Sequence, residues 1–225
     1  MAAEITTIHL VRHGEVDNPS GVLYGRVPGF HLTELGHEMA RGLASAFYPR
    51  HDVRAVITSP LERAIETGTP TAQAFGLEIQ TTPDLLEFDN YFEGLPINDN
   101  KLMLAHPRFW PWYRNPFKPS WGEPYVDIVA RMSAAVRYGL RLARGGEAIL
   151  VSHQAPIWTL RRFIEGKSLA SDPRKRECSL CSVTSLTFSD RQLISLDYWE
   201  PVKHLLSRAH DMVPGTSAAA EKKSK

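Results

Sequence analysis

The sequence predicts an α/β fold built on a mainly parallel sheet, and three observations lead there. Short β-branched runs recur along the 225-residue chain, at residues 5–11 (ITTIHLV), 53–58 (VRAVIT) and 147–152 (EAILVS). Segments with helical periodicity lie between them, and strands alternating with helices favour parallel pairing through crossovers. Composition is that of a globular domain: 43% apolar and 23% charged residues exclude collagen, coiled coil and general disorder. A chain of this length buries a sizeable core without covalent staples.

The elements follow in order. The first strand stops at Arg12-His13-Gly14. Thr33 is placed as an N-cap, and Leu35, Met39, Leu43, Ala46 and Phe47 then share one helical face. After the strand at 53–58, Leu61 to Phe75 reads as helical, with Gly68 and Pro70 expected to break or kink it. From Tyr125 to Arg144, Val129, Met132, Val136, Leu140 and Ala143 form another stripe, ended by Gly145-Gly146. The strand at 147–152 precedes a helix from Gln154 to Ile164, and strands are expected near 180–188 and 191–198. No internal repeat is visible, so residues 1–208 are expected to form one domain. From Ala209 onward the chain (AHDMVPGTSAAAEKKSK) loses apolar period and ends in lysines, the composition of a disordered tail.

Lys and Arg number 26 against 25 Asp and Glu, a formal net charge of +1, which argues against nucleic acid or membrane surfaces as partners. The start, MAAEITTIHLVRHGE, is charged too early for a secretory signal, and no apolar run approaches spanning length. Cys178 and Cys181 form a lone C-x-x-C with no second pair. They read as small buried residues at the start of a strand rather than as a disulfide, redox or zinc motif. A reducing cytoplasm is therefore the expected compartment.

In open α/β sheets, ligands bind beyond the carboxyl ends of the strands. Three predicted strands end in reactive polar residues: Arg12-His13, Ser59 and His153. Parallel strands bring these to one edge, and Arg63, four residues past Ser59, reaches the same edge from the following helix. Two arginines, two histidines and a serine describe an anion site, since guanidinium forks match phosphate and helix N-termini add donors.

The motifs LVRHGE (Leu10–Glu15), LTELG (Leu32–Gly36), SPLERAIET (Ser59–Thr67), LLE…FEG (Leu85–Gly94) and VSH (Val151–His153) resemble those of the histidine phosphatase superfamily, also called phosphoglycerate mutase-like. The resemblance implies a three-layer α/β/α sandwich. It also implies that His13 is the nucleophile, forming a phosphohistidine while Arg12, Arg63 and His153 hold the non-bridging oxygens. An unperturbed imidazole pKa of ~6.5 leaves such a histidine neutral near neutrality, and adjacent arginines disfavour its protonation further. A carboxyl group would protonate the leaving oxygen and later activate water. The family's acid lies within Leu85–Gly94, so Glu87 leads, with Asp89 and Glu93 as alternatives. The arginines would supply charge neutralisation without a metal or cofactor, and no H-E-x-x-H or D-x-D-x-D-G signature is present.

Beside these roles, Ser59 and His153 each have a simpler reading, as a helix start before proline and a buried strand-end histidine. The sequence also departs from the family. Asn18 falls five residues after His13, where the family often has asparagine at six, and precedes Pro19, so its role as a phosphate donor is in question. Gln154 replaces the glycine that usually follows V-S-H, narrowing the pocket or adding an amide contact. Residues 87–93 lack a usual glycine. Residues 91–121 hold eight aromatic residues, Trp110 and Trp112 among them, and five prolines. An aromatic insertion at about 90–122 is expected either to cap the site and line a leaving-group pocket or to pack onto the core. His9, His37 and His106 are expected to pack or face water.

The expected activity is hydrolysis of phosphomonoesters of small metabolites through His13. A cofactor-dependent phosphoglycerate mutase and a non-catalytic phosphate-ligand binder on the same fold are the alternatives.

Overall fold

The computed structural model describes residues 4–95, 106–107, 110, 122–172 and 175–210. Strands β1 (Ile5–Arg12), β2 (Val53–Thr58), β3 (Ile79–Thr81), β4 (Glu147–Ser152), β5 (Val183–Ser189) and β6 (Gln192–Trp199) form one sheet in the order β3-β2-β4-β1-β5-β6. The first four are mutually parallel; β5 runs antiparallel to β1, and β6 to β5. The sheet is therefore mixed and mainly parallel.

Period-two alternation divides each strand between two cores. Ala148 and Leu150 of β4 face a core completed by α3 (Tyr125–Leu142) and α4 (Gln154–Ile164), through Ile128, Met132, Ile157 and Leu160. Ile149 and Val151 face the other side, where α1 (Glu34–Phe47) and α2 (Glu62–Phe75) supply Leu43, Phe47, Ala64 and Ala72. Both faces are covered, which is why β4 reads as a continuous apolar run rather than an alternating one. The result is the three-layer sandwich.

Thr33 caps α1 as its sequence predicts, accepting a hydrogen bond from Gly36 N at 2.9 Å. Gly145, at φ +73°, follows the end of α3. Among the described residues, no helix is long and apolar enough to cross a membrane.

Four expectations are corrected. First, α2 runs through Gly68 and Pro70 without a break. Gly68 is the closest approach of α2 to the sheet: a Cβ there would lie 2.9 Å from Thr58 Cγ2 and 3.3 Å from Val56 Cγ1. Close packing, unavailable to local propensity, holds the helix together. Second, β3 was not foreseen, because three residues carry no readable period. Third, β5 begins at Val183 rather than near 180; Cys178 to Ser182 form a turn, closed by Ser182 N on Ser179 O at 3.0 Å. Fourth, the ordered chain passes Ala209, which packs beside Leu205 and Leu206, and His210 N donates to Glu15 Oε1 at 2.6 Å. The remainder of the expected tail, 211–225, lies outside the described residues, as does most of the insertion. Its two ends meet: Asn90 and Gly122 pair as an isolated bridge.

Gly68→Ala is expected to destabilise the fold by about 1–2 kcal/mol despite alanine's better helix propensity, since overpacking outweighs the gain. Urea unfolding checks this; an unchanged or raised midpoint would show that the sheet yields to the methyl group.

Candidate active site

Sheet register assembles the site. Arg12 pairs with Ser152 across β1 and β4, and Thr58 with Val151 across β2 and β4. The residues just beyond, His13, His153 and Ser59, therefore emerge at one carboxyl edge. His13 N donates to Ser152 O at 3.1 Å and Ser59 N to Val151 O at 2.9 Å, which fixes the exit directions. Arg12, His13, Ser59, Arg63 and His153 are each 3% exposed or less. Polar groups this deeply buried need partners or a ligand.

His13 Nδ1 lies 2.8 Å from Gly14 O. A carbonyl oxygen only accepts, so Nδ1 carries the proton and the ring's lone pair is on Nε2. Gly14 is held in turn: its N–H donates to Thr67 Oγ1 at 3.0 Å, and that hydroxyl donates to Arg63 O at 2.7 Å. The motif glycines have a steric reason. A Cβ on Gly14 would lie 2.8 Å from Gly36 O, and one on Gly36 would lie 2.2 Å from Glu15 O. The start of α1 rests directly on the turn that carries the histidine.

The arginines arrive from two directions. Arg12 Nη1 donates to Cys178 O at 2.8 Å. Arg63 Nη2 donates to Gly25 O at 2.6 Å, and its Cζ sits 4.7 Å over the Tyr24 ring. Nε and Nη1 of Arg63 are buried with no hydrogen-bond partner among the described residues. Burial lowers the Arg63 pKa from its usual value, against the opposing influence of Tyr24 and Glu87.

His153 Nε2 lies 2.9 Å from Ser59 Oγ, and its Nδ1 is buried without a partner among the described residues. Ser59 Oγ also accepts from Leu61 N at 3.4 Å, and with its second lone pair and its proton it can either accept from or donate to His153 Nε2. Burial holds the His153 pKa well below its usual value, and the charges of Arg63, His13, Arg131 and Arg12 add to it. His153 also caps α4, whose N-terminal turn adds its dipole at the same edge. The chemistry this arrangement offers is binding of a compact polyanion beside an imidazole whose Nδ1 is held by Gly14 O.

The segment after β3 is tied to the same edge. Thr82 N donates to Thr58 O at 3.0 Å, and Ser152 Oγ donates to Leu85 O at 2.8 Å. Arg131 of α3 donates to the carbonyls of Asp84 (2.9 Å), Leu86 (2.6 Å) and Glu87 (3.3 Å), and grips Glu123 with Nε at 2.8 Å and Nη2 at 3.0 Å. Arg26 Nε reaches Glu87 O at 2.7 Å and Arg26 Nη2 reaches Glu123 Oε2 at 2.8 Å. The Glu87 carboxylate accepts from Phe88 N at 2.7 Å, and its charge acts on Arg63, Arg176 and Cys178. Glu93 packs against Gly25, accepts from Arg26 N at 2.9 Å and also acts on Arg63, with its pKa raised by burial. Asp89 contributes its backbone oxygen, which accepts from Glu123 N at 3.0 Å.

Other expected residues are used differently. Asn18 serves its own loop rather than the arginines, because Nδ2 donates to Val22 O at 2.8 Å and Oδ1 accepts from Val22 N at 3.3 Å. Trp110 is 64% exposed. Trp112 lies outside the described residues. Gln154 is buried at the site's edge, with Nε2 3.4 Å from Cys178 O. Cys178 and Cys181 are free and buried, with thiols pushed up to about 11 and about 12 by that burial, which makes them inert. His9 packs as expected: its Nε2 and His51 Nδ1 both lie 2.8 Å from Glu147 Oε2, toward the opposite end of the sheet. A cleft of about 740 Å³ lined by Val136, Leu140, Phe163 and Leu193 also lies away from the histidines.

Sequence reasoning missed Arg26, Thr67, Glu123, Arg131 and Arg176. Arg131 had left a signal, a cation within the buried stripe that includes Ile128 and Ala135 of α3.

The fold is shared with known hydrolases. The structure of mycobacterial glucosyl-3-phosphoglycerate phosphatase superposes with a TM-score of 0.69 at 24% identity, covering 87% of this chain and 98% of that one; it has also been solved with inorganic phosphate and with VO3. An uncharacterized protein of Mycobacterium tuberculosis, Rv0525, is 50% identical over 198 residues, 88% of this chain and 98% of its own. The metal-independent phosphoserine phosphatase of Arabidopsis thaliana is 28% identical over 210 residues, 91% of this chain and 85% of its own. The model of the histidine phosphatase superfamily (branch 1) matches residues 8–200, and the chain belongs to that superfamily. Membership places it among phosphatases and mutases.

Two outcomes test this geometry. The His153 ring is expected to stay neutral through pH 6.5 and below in side-chain ¹⁵N spectra; titration at 6.5 would mean an accessible, unburied imidazole. Arg131→Gln is expected to cost about 2–4 kcal/mol in urea unfolding, because Glu123 and three carbonyls lose a shared cation. A loss below half a kilocalorie would reduce the clamp to a surface pair.

Proposed function

We propose that this protein is a metal-independent phosphatase acting on phosphomonoesters of small metabolites through a phosphohistidine at His13. The observation that carries the reading is the 2.8 Å contact between His13 Nδ1 and Gly14 O, which commits the lone pair to Nε2 among buried cationic donors. The names of the plant and mycobacterial phosphatases point the same way.

In the proposed reaction, Nε2 attacks phosphorus as the ester P–O bond breaks. Arg12, Arg63 and the Nδ1–H of His153 stabilise the charge spreading over the non-bridging oxygens, a role that divalent ions fill elsewhere. Ser59 is the positioning residue, its hydroxyl donating to His153 Nε2 in this reaction. The carboxyl of Glu87 gives its proton to the leaving alkoxide. The resulting carboxylate then takes a proton from water as the hydroxyl attacks phosphorus; the P–N bond breaks, phosphate leaves and neutral His13 returns. Glu87 is favoured because its carboxylate acts on both Arg63 and Arg176. Glu93 has the raised pKa suited to an acid and also acts on Arg63, but it is not among the charges that act on Arg176.

The test is hydrolysis of p-nitrophenyl phosphate between pH 5 and 8 in EDTA. His13→Ala is expected to abolish turnover and Glu87→Gln to lower kcat roughly 10²–10⁴-fold, while Glu93→Gln and Asp89→Asn change it less than about tenfold. EDTA-sensitive turnover, or turnover surviving in His13→Ala, would overturn the mechanism. A larger loss in Glu93→Gln than in Glu87→Gln would move the acid. Turnover appearing only with a bisphosphate primer would make the protein a mutase.

A further inference from the structure

A second group of ligand-forming side chains lies at the opposite end of the sheet from the phosphate site. Glu147 opens β4 and His153 follows its end, which at ~3.3 Å per residue puts them about 20 Å apart. His9 of β1, His51 of the segment between α1 and β2, and Glu147 bring their ligand atoms within 4.8 Å of one another. His9 Nε2 and His51 Nδ1 approach the same carboxylate oxygen, Glu147 Oε2, each at 2.8 Å. A carboxylate serving only as a hydrogen-bond acceptor has two oxygens to offer. Both rings on one oxygen is the convergence that a single ion needs.

The surroundings suit such an ion. The Phe47 ring backs both imidazoles, 4.9 Å from His9 and 4.8 Å from His51, and Trp199 lies 5.5 Å behind Phe47. That side is dry, while the side chains of Glu147 and His51 keep 22% and 30% exposure, which gives an ion a way in and water a place beside it. His9 Nδ1 lies 2.9 Å from Ser185 Oγ, which also accepts from Trp199 Nε1 at 3.3 Å. A hydroxyl can donate to an imidazole nitrogen or accept from it. Ser185 therefore supports His9 with its proton on Nε2, as the bond to Glu147 requires, and equally with its proton on Nδ1, which frees Nε2 for a metal. Metal-bound histidines characteristically have such an oxygen partner behind the ring.

Two imidazoles and one carboxylate are a zinc ligand set whose fourth tetrahedral position goes to water. Calcium and magnesium, which take oxygen ligands, are disfavoured. Zinc bonds of about 2.0–2.2 Å set tetrahedral ligand atoms about 3.4 Å apart, so Glu147 Oε2 has to withdraw from each nitrogen by about half an ångström. We infer that His9, His51 and Glu147 form a zinc site that ties β1, β4 and the segment before β2 together, remote from the reaction and acting on stability rather than on chemistry.

The experiment titrates untagged full-length protein, stripped of metal and then of chelator, with zinc chloride by calorimetry, and with cobalt(II) to read the geometry from its visible absorption. One ion per chain with a tetrahedral cobalt spectrum is expected, and zinc at a hundred times its Kd is expected to raise the thermal midpoint by about 5–10 °C. His51→Ala and Glu147→Gln are each expected to weaken binding by about a hundredfold or more, beyond the ten- to hundredfold that an outer partner such as Ser185 is worth. His51 lies on a loop and is part-exposed, so its variant tests the site without removing a core side chain. His13→Ala and His31→Ala are expected to bind zinc as the unaltered protein does, since one histidine belongs to the phosphate site and the other pairs with Glu66. No binding by the unaltered protein, or affinity that survives His51→Ala or Glu147→Gln, would overturn the site. Binding lost in His13→Ala would put the ion among the phosphate-site histidines and overturn it equally. A midpoint lowered by Glu147→Gln with no zinc response in the unaltered protein would reduce the three side chains to a hydrogen-bond network.

Discussion

Gly14 couples the nucleophile to the rest of the molecule. Its carbonyl sets the His13 tautomer, its N–H reaches α2 through Thr67, and its missing side chain lets the start of α1 approach at Gly36. A side chain here would push α1 away from the turn, and the carbonyl that orients the imidazole would move with it. Close packing transmits such shifts because interiors have no slack to absorb them. The chemistry of His13 is therefore a property of how α1 and α2 sit on the sheet, not of the histidine alone.

The surrounding charges make the site costly to fold. Among the described residues, Arg63 has two buried nitrogens without hydrogen-bond partners, and His153 has one. Each such group costs on the order of 1–3 kcal/mol when left unsatisfied. A fold bears that only if the remaining core is well packed, and both faces of β4 are fully covered. The contrast with His9 is instructive. Its two ring nitrogens meet Ser185 and Glu147, so its hydrogen bonds are satisfied within the protein. Residue type is the same at the two ends of the sheet; the balance of donors and acceptors separates a structural histidine from a reactive one.

What was legible in the sequence follows the same division. Strand ends pointed to Arg12, His13, Ser59 and His153 by one local rule, that a parallel strand stops at a polar residue, and motif spacing added Arg63 from the helix that follows β2. The integrity of α2 was not legible, since Gly68 weakens the helix locally and rewards it only through contact with Thr58 and Val56. Arg131 and Arg26 were equally hidden. Their function is to grip carbonyls of a segment about forty to sixty residues away in sequence, and no local pattern encodes that pairing. Asn18 is tied to its own turn through Val22, a local contact that its residue type and spacing did not predict.

The mixed topology explains why Arg176 was also missed. Reasoning from parallel sheets looks for site residues after strands, at their carboxyl ends. β5 runs antiparallel to β1, so it begins where β1 ends. The turn before β5 therefore arrives at the same edge, and Cys181 N donates to Arg12 O at 3.1 Å while Arg12 N donates to Ser182 O at 3.2 Å. That turn supplies Cys178 O to Arg12 and brings Arg176 beside Gln154. One antiparallel strand thus adds a second source of side chains to the site, entering from a segment in which a strand starts. The parallel strands hold the groups proposed to act on phosphorus, and the antiparallel entry closes the same edge beside them.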